Sequence, residues 1–135
     1  MSLQIIRPVT IKARVTESLK ARMTAELNAA IQQLDAEMAE LESQVKRAQL
    51  TATITPQQQM QLHQLVEQER AVRAEKKAQL QQEISRVQSL PLGAEIVQGT
   101  VQATANLKVG DNFDALMATE IVVEDGKVIA IRGEA

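Results

Sequence analysis

The chain has 135 residues, a net charge of −2, 44% hydrophobic and 24% charged residues, and one aromatic side chain, Phe113. This is a folding composition, but with no Trp or Tyr it excludes a deep aromatic core and a platform for stacking nucleotide bases. The absence of Cys excludes disulfides, thiolate metal sites and a thiol nucleophile, and the small net charge argues against general polyanion binding.

From Leu3 to Val15 apolar and polar residues alternate. Leu3, Ile5, Val9, Ile11, Ala13 and Val15 fall on one side, with Ile6 and Arg7 out of step. A period of two predicts a half-buried strand. Pro8 lacks an N–H, so it predicts an edge position or a break between two short strands. Thr16 is a good helix N-cap, with Glu17 in the first turn.

From Glu17 to about Leu50 there is neither Gly nor Pro, and Ile31, Leu34, Met38, Leu41, Val45 and Ala48 form a heptad seam. Leu19, Met23 and Leu27 continue it toward the N-terminus. A short break at Thr51 to Thr55 follows. Thr55, Pro56 and Gln58 then carry the cap, first-turn proline and capping-box signals of a second helix, ended near Ser89 by Pro91. So short a connection predicts an antiparallel hairpin. With the turn centred on Thr53, facing residue numbers sum to about 106, which sets Leu41 against Leu65, Leu34 against Val72 and Leu27 against Leu80. At ~1.5 Å per residue each helix spans about 50 Å. In the middle of the second helix Arg70, Arg73, Lys76 and Lys77 lie across from Asp35, Glu37, Glu40 and Glu42. A solvated face with some inter-helix ion pairs is the expected role; a basic patch for an acidic partner is the sharper alternative.

After Gly93 the period of two returns. Gly99, Val101, Ala103, Ala105, Leu107 and Val109 alternate with polar residues, predicting a long strand that Gly110 and Asp111 end. Residues from Asn112 to Met117 fit one helical turn, with Asp111 as the expected cap. Two apolar runs, Glu120 to Glu124 and Lys127 to Arg132, flank Asp125-Gly126, a strong hairpin signal.

The order strand, helix, helix, strand, strand, strand defines an α+β protein. A long, coiled-coil-like antiparallel two-helix hairpin, residues 16–90, is inserted into a small, mainly antiparallel β-domain formed by residues 1–15 and 91–135. The first and second strands enter and leave the hairpin together and are expected to lie side by side.

The sequence resembles the YlqD family of uncharacterised small bacterial proteins. The likeness spans essentially the whole chain. It rests on Ile5-Ile6-Arg7-Pro8-Val9-Thr10-Ile11-Lys12, on the charged helical middle, and on Leu90-Pro91-Leu92-Gly93-Ala94-Glu95-Ile96 leading to Val109-Gly110-Asp111. It also rests on Ile121-Val122-Val123-Glu124-Asp125-Gly126-Lys127-Val128. The resemblance implies no established activity and transfers no site residues.

No catalytic, cofactor-binding or metal-binding set emerges from the residues. His63 is the only histidine, and no base, nucleophile and orienter can be assembled around it or around Ser18, Ser43, Ser85 and Ser89. Asp111, Asp114 and Glu120 suggest a cation site, but Asp111 and Asp114 better suit a turn and a cap. The residues between the helices, Leu50, Thr51, Ala52, Thr53, Ile54 and Thr55, include no acid.

The expected function is therefore that of a non-enzymatic structural or protein-interaction module that self-associates. Its partners would be proteins, including further copies of itself. The alternative is an RNA- or ribosome-associated binding protein using Lys12, Arg14 and the nearby Arg7. No stretch of about 18 apolar residues predicts a membrane partner, and no signal-like run is seen, so a cytoplasmic location is expected.

Overall fold

The computed structural model describes residues 1–51 and 53–133. In chain order its elements are β1 (Ser2–Arg14), α1 (Glu17–Thr51), α2 (Pro56–Ser89), β2 (Glu95–Lys108), α3 (Phe113–Met117), β3 (Glu120–Glu124) and β4 (Lys127–Arg132). This is the α+β order read from the sequence. Two compact units result: Met1–Ala21 with Leu90–Ala135, and Arg22–Ser89.

The first unit holds a mixed four-stranded sheet in the order β2-β1-β3-β4. β1 and β2 pair antiparallel along their whole length, from Ser2↔Lys108 to Arg14↔Glu95, with a register shift after Ile11. β3 joins β1 in parallel only from Thr10↔Glu120 to Ala13↔Val123. β1 is thus one strand and not two, and Pro8 does not break it. The Thr10 N–H donates to the Thr119 carbonyl at 3.3 Å. Two residues earlier, the Pro8 nitrogen faces the same way, toward an edge that β3 has not yet reached. Its missing N–H leaves no ladder bond unmade.

β3 and β4 form the hairpin expected at Asp125-Gly126, with Glu124↔Lys127 closing it. Asp125 (φ 48°) and Gly126 (φ 85°) both occupy the left-handed region that a tight two-residue turn demands. The Asp125 carboxylate also accepts from the Thr16 hydroxyl at 2.7 Å. Thr16 Oγ1 in turn accepts from the Leu19 N–H at 3.1 Å, as an N-cap does. The start of α1 is thereby tied to the β3–β4 turn. Val9, Ala13, Val15, Leu19, Ala105, Leu116 and Val122 are the buried apolar residues of this unit.

At α3 the cap differs from the expectation by one residue. Asn112 is the N-cap, its side chain accepting from the Ala115 N–H at 3.0 Å. Asp111 instead closes the turn after β2, accepting from the Lys108 N–H at 2.8 Å.

The second unit is the pair of helices. Thr55 and Gln58 form a reciprocal capping box, at 2.9 and 3.1 Å. Glu42–Arg70, Glu37–Arg73 and Asp35–Lys77 ion pairs join α1 to α2 and fix the antiparallel direction, since numbers rise on one helix as they fall on the other.

The seam on α1 lies where the heptads put it from Met23 to Val45, at half-buried Met23, Leu27, Ile31, Leu34, Met38, Leu41 and Val45, but Ala48 is exposed. On α2 the half-buried series is Leu62, Val66, Glu69, Arg73, Lys77, Leu80 and Ile84. Leu65 and Val72 are 43% and 48% exposed, so the expected pairs Leu41–Leu65 and Leu34–Val72 do not form the seam. α1 ends at Thr51 and α2 starts at Pro56, which centres the turn between Thr53 and Ile54. That half-residue moves the facing sum to about 107, and one residue rotates a helix face by about 100°. Arg73 and Glu69 are half-buried where Val72 was expected, and Arg73 pairs with Glu37 of α1. Half-buried charges in the middle of the seam replace the expected apolar contacts.

Candidate functional site

Many of the side chains singled out in the sequence are engaged in structural contacts. The sequence sets Arg7 out of step in the alternation of β1 and groups it with Lys12 and Arg14 as an RNA contact. In the structure Arg7 is in step with Ile5 and Val9 and only 6% exposed. Its guanidinium donates to the Leu116 carbonyl at 2.9 Å and to Thr119 Oγ1 at 3.0 Å. Thr119 Oγ1 donates onward to the same carbonyl at 3.1 Å. A buried carbonyl at the end of a five-residue helix needs donors, and Arg7 reaches it from the neighbouring strand.

Lys12 and Arg14 belong to an ionic network across the opposite face of the sheet. Lys12 meets Glu120 at 2.8 Å and Arg14 approaches Glu95 at 3.9 Å. Arg132 grips Glu95 through two hydrogen bonds of 2.6 and 2.7 Å and lies 3.5 Å from Glu120. Glu95 is on the edge strand β2 and Arg132 on the opposite edge strand β4, so these side chains run over β1 and β3. Val122, in register with Lys12 and Ala130, is fully buried on that face. The hydrogen bonds from Arg132 hold the Glu95 carboxyl below the usual carboxylate range, and the bond from Lys12 does the same for Glu120. Arg132 is raised, chiefly by its bond to Glu95. Three cations, Lys12, Arg14 and Arg132, thus share two carboxylates, Glu95 and Glu120.

The charged middle of α2 is likewise committed. Besides Glu42, Arg70 meets Glu67 at 2.9 Å; Arg73 meets Glu69 as well as Glu37; Lys77 meets Asp35 at 3.2 Å. The hydrogen bond to Glu42 is the main cause of a raised Arg70, and that to Glu69 of a raised Arg73. Glu42–Arg70, Glu37–Arg73 and Asp35–Lys77 join the two helices, while Glu67–Arg70 and Glu69–Arg73 lie within α2.

His63 is exposed and lines an open groove of about 660 Å³ between the two helices, with Glu42, Val45, Met60 and Val66 among the other walls. Among the described residues no group of three or more His, Cys, Asp or Glu side chains is placed to hold a metal. Asp111, Asp114 and Glu120 do not converge on a cation. Asp111 serves the turn, Asp114 the first turn of α3, and Glu120 pairs with Lys12. Ser85 and Ser89 donate back to the Gln81 and Arg86 carbonyls of their own helix. Ala52, one of the acid-free residues between the helices, lies outside the described residues. None of the described helices is long and apolar enough to cross a membrane.

One feature was not anticipated from the sequence. Because β3 starts late, the N-terminal half of β1 and the C-terminal half of β2 form a two-stranded ribbon beyond the rest of the sheet. Its end carries an apolar hollow of about 400 Å³ lined by Met1, Leu3, Leu107, Val109 and Phe113, beside Ser2, Lys108 and Asp111. Phe113 is 54% exposed, and Val109 is fully exposed. The available signal was positional: the one aromatic residue lies four residues after Val109, the apolar end of the longest predicted strand.

The fold defines a class: α+β proteins in which a two-helix hairpin separates the first strand of a small mixed sheet from the other three. The sequence model described as "YlqD protein" matches residues 3–132, and the chain belongs to the YlqD family. It is 28% identical to the "Uncharacterized protein YlqD" of Bacillus subtilis (strain 168) over 134 residues, which cover 96% of this chain and 98% of that one. It is also similar to a crystal structure of a protein of unknown function from Synechococcus sp. WH 8102. There the TM-score is 0.66 and the identity 29%, over 98% of this chain and 95% of the other.

Proposed function

We propose that this chain is a non-enzymatic structural and protein-interaction module that self-associates. The observation that carries the reading is the uncovered apolar surface at the ribbon end, where Met1, Leu3, Leu107, Val109 and Phe113 gather around one hollow. Contiguous apolar surface of this kind marks a contact site, and a two-stranded ribbon is marginal in water unless something packs on it. The half-exposed seam of the helices adds to the same account. The RNA-binding alternative draws no support from its three named cations, since Arg7 is buried and Lys12 and Arg14 face carboxylates.

Light scattering across a concentration series tests the proposal. A mass well above the 14.8 kDa of one chain is expected at high micromolar concentration. A constant single-chain mass would refute self-association.

A further inference from the structure

We infer that the protein forms a two-fold dimer through the free edge of β2, joining two sheets into one. The inference rests on the self-association proposed above and places it along the β2 edge, whose C-terminal half is one strand of the ribbon.

The two edges of the sheet are built differently. β4 has six residues, begins with Lys127, ends with Arg132, and pairs with β3 through a register shift. Short length, charge and a bulge are the devices by which proteins discourage edge-to-edge pairing. β2 has fourteen residues, EIVQGTVQATANLK, with no proline and no charge between Glu95 and Lys108. Its irregularity lies at Gln98, where Ile11↔Gly99 gives way to Lys12↔Val97, and the stretch from Gly99 to Lys108 is regular.

The backbone hydrogen bonds show which groups the free edge offers. The Thr10 N–H faces β3, and the Val15 N–H and carbonyl bond to Ala94 and Gly93 on the β2 side. Alternation along β1 therefore turns Leu3, Ile5, Arg7 and Val9 toward β2. Their partners Leu107, Ala105, Ala103 and Val101 use their backbone groups inward. Thr100, Gln102, Thr104 and Asn106, all exposed, direct theirs outward.

That edge is complementary to itself. A two-fold axis through Gln102 pairs Gln102 with Gln102 of the second copy and Thr100 with its Thr104, all through outward-facing groups. Opposed Thr–Thr and Gln–Gln side chains can hydrogen-bond on one face. On the other face Val101, now 43% exposed, lies beside Ala103 of the second copy. Lys108 of each copy comes next to Glu95 of the other, so the only charges on the strand meet with opposite sign. A closed two-fold contact uses up the β2 edge of each copy, leaves only the short, charged β4 edges, and stops at the dimer.

The experiment uses the full chain, which has no cysteine of its own. Sedimentation equilibrium is measured for the parent, for Gln102→Lys, which sets like charges opposite at the axis, and for Ile131→Lys on β4 as a control. In parallel, Gln102→Cys and Lys127→Cys are oxidised and scored for disulfide-linked dimer. The expected result is a dimer weakened at least tenfold by Gln102→Lys and unchanged by Ile131→Lys, with covalent dimer from Gln102→Cys alone. A parent that stays monomeric overturns this inference and the self-association reading together. A parent that dimerises without covalent linkage through Gln102→Cys overturns the β2 edge and leaves self-association standing. The cross-link decides even if Gln102→Lys fails to fold.

Discussion

Replacing Arg7 separates a buried structural cation from a surface one. In Arg7→Ala two hydrogen bonds from a charged donor disappear, those to the Leu116 carbonyl and to Thr119 Oγ1. Each such bond contributes about 1.5–3 kcal/mol, so these two together account for about 3–6 kcal/mol. The Leu116 carbonyl keeps the bond from Thr119 Oγ1 and is not orphaned, which brings the expected loss down to about 3 kcal/mol. Arg7→Met keeps most of the aliphatic stem packed in the core and should lose about half of that. The chain has no Trp, so Phe113→Trp, at a half-exposed position on α3, supplies a fluorescence reporter of this unit alone. Urea unfolding followed at that Trp, beside far-UV circular dichroism for the helices, measures the loss in each background. A change within about 0.5 kcal/mol for Arg7→Ala is what a solvated surface arginine gives, and it would refute the buried role.

Three further outcomes follow from the same structure. Leu80→Ala, on the half-buried seam, should cost about 1–2 kcal/mol in urea unfolding monitored by circular dichroism, while Leu65→Ala should stay within about 0.5 kcal/mol; the reverse order would restore the register expected from the sequence. Gly126→Ala should destabilise the β3–β4 hairpin by about 1 kcal/mol, read from the thermal midpoint, because φ there is 85°. Glu95 and Glu120 are held below the usual carboxylate range in the folded chain, so the stability they contribute is complete above the unfolded value of about 4.3. It is lost as pH falls through their depressed folded values. The doubly substituted Glu95→Gln, Glu120→Gln protein should therefore show a shallower loss of thermal stability on acidification than the parent, and an equal slope would deny the network that role.

Every helix and strand was legible in the sequence because its signals are local. Thr16, the Thr55–Gln58 box, Pro91, and Asp125-Gly126 each act within a few residues of themselves, and the alternating or heptad patterns between them do the rest. The class of fold followed from the order of those elements. The hollow at the ribbon end was harder to foresee, because it depends on where β3 begins to pair, which no local pattern encodes.

Sequence alone thus determined the elements, their ends and most of their caps, since backbone preference and capping are short-range. Tertiary structure alone decided how they meet. Half a residue in the centre of the helical turn moved the seam from Leu65 and Val72 to Val66 and Arg73, because each residue turns a helix by about 100°. Burial of Arg7 depended on a helix end more than a hundred residues away in the chain, where the Leu116 carbonyl awaited a donor. The pairing of Glu95 with Arg132 depended on strands that the sheet order, and not the sequence order, brought to face each other.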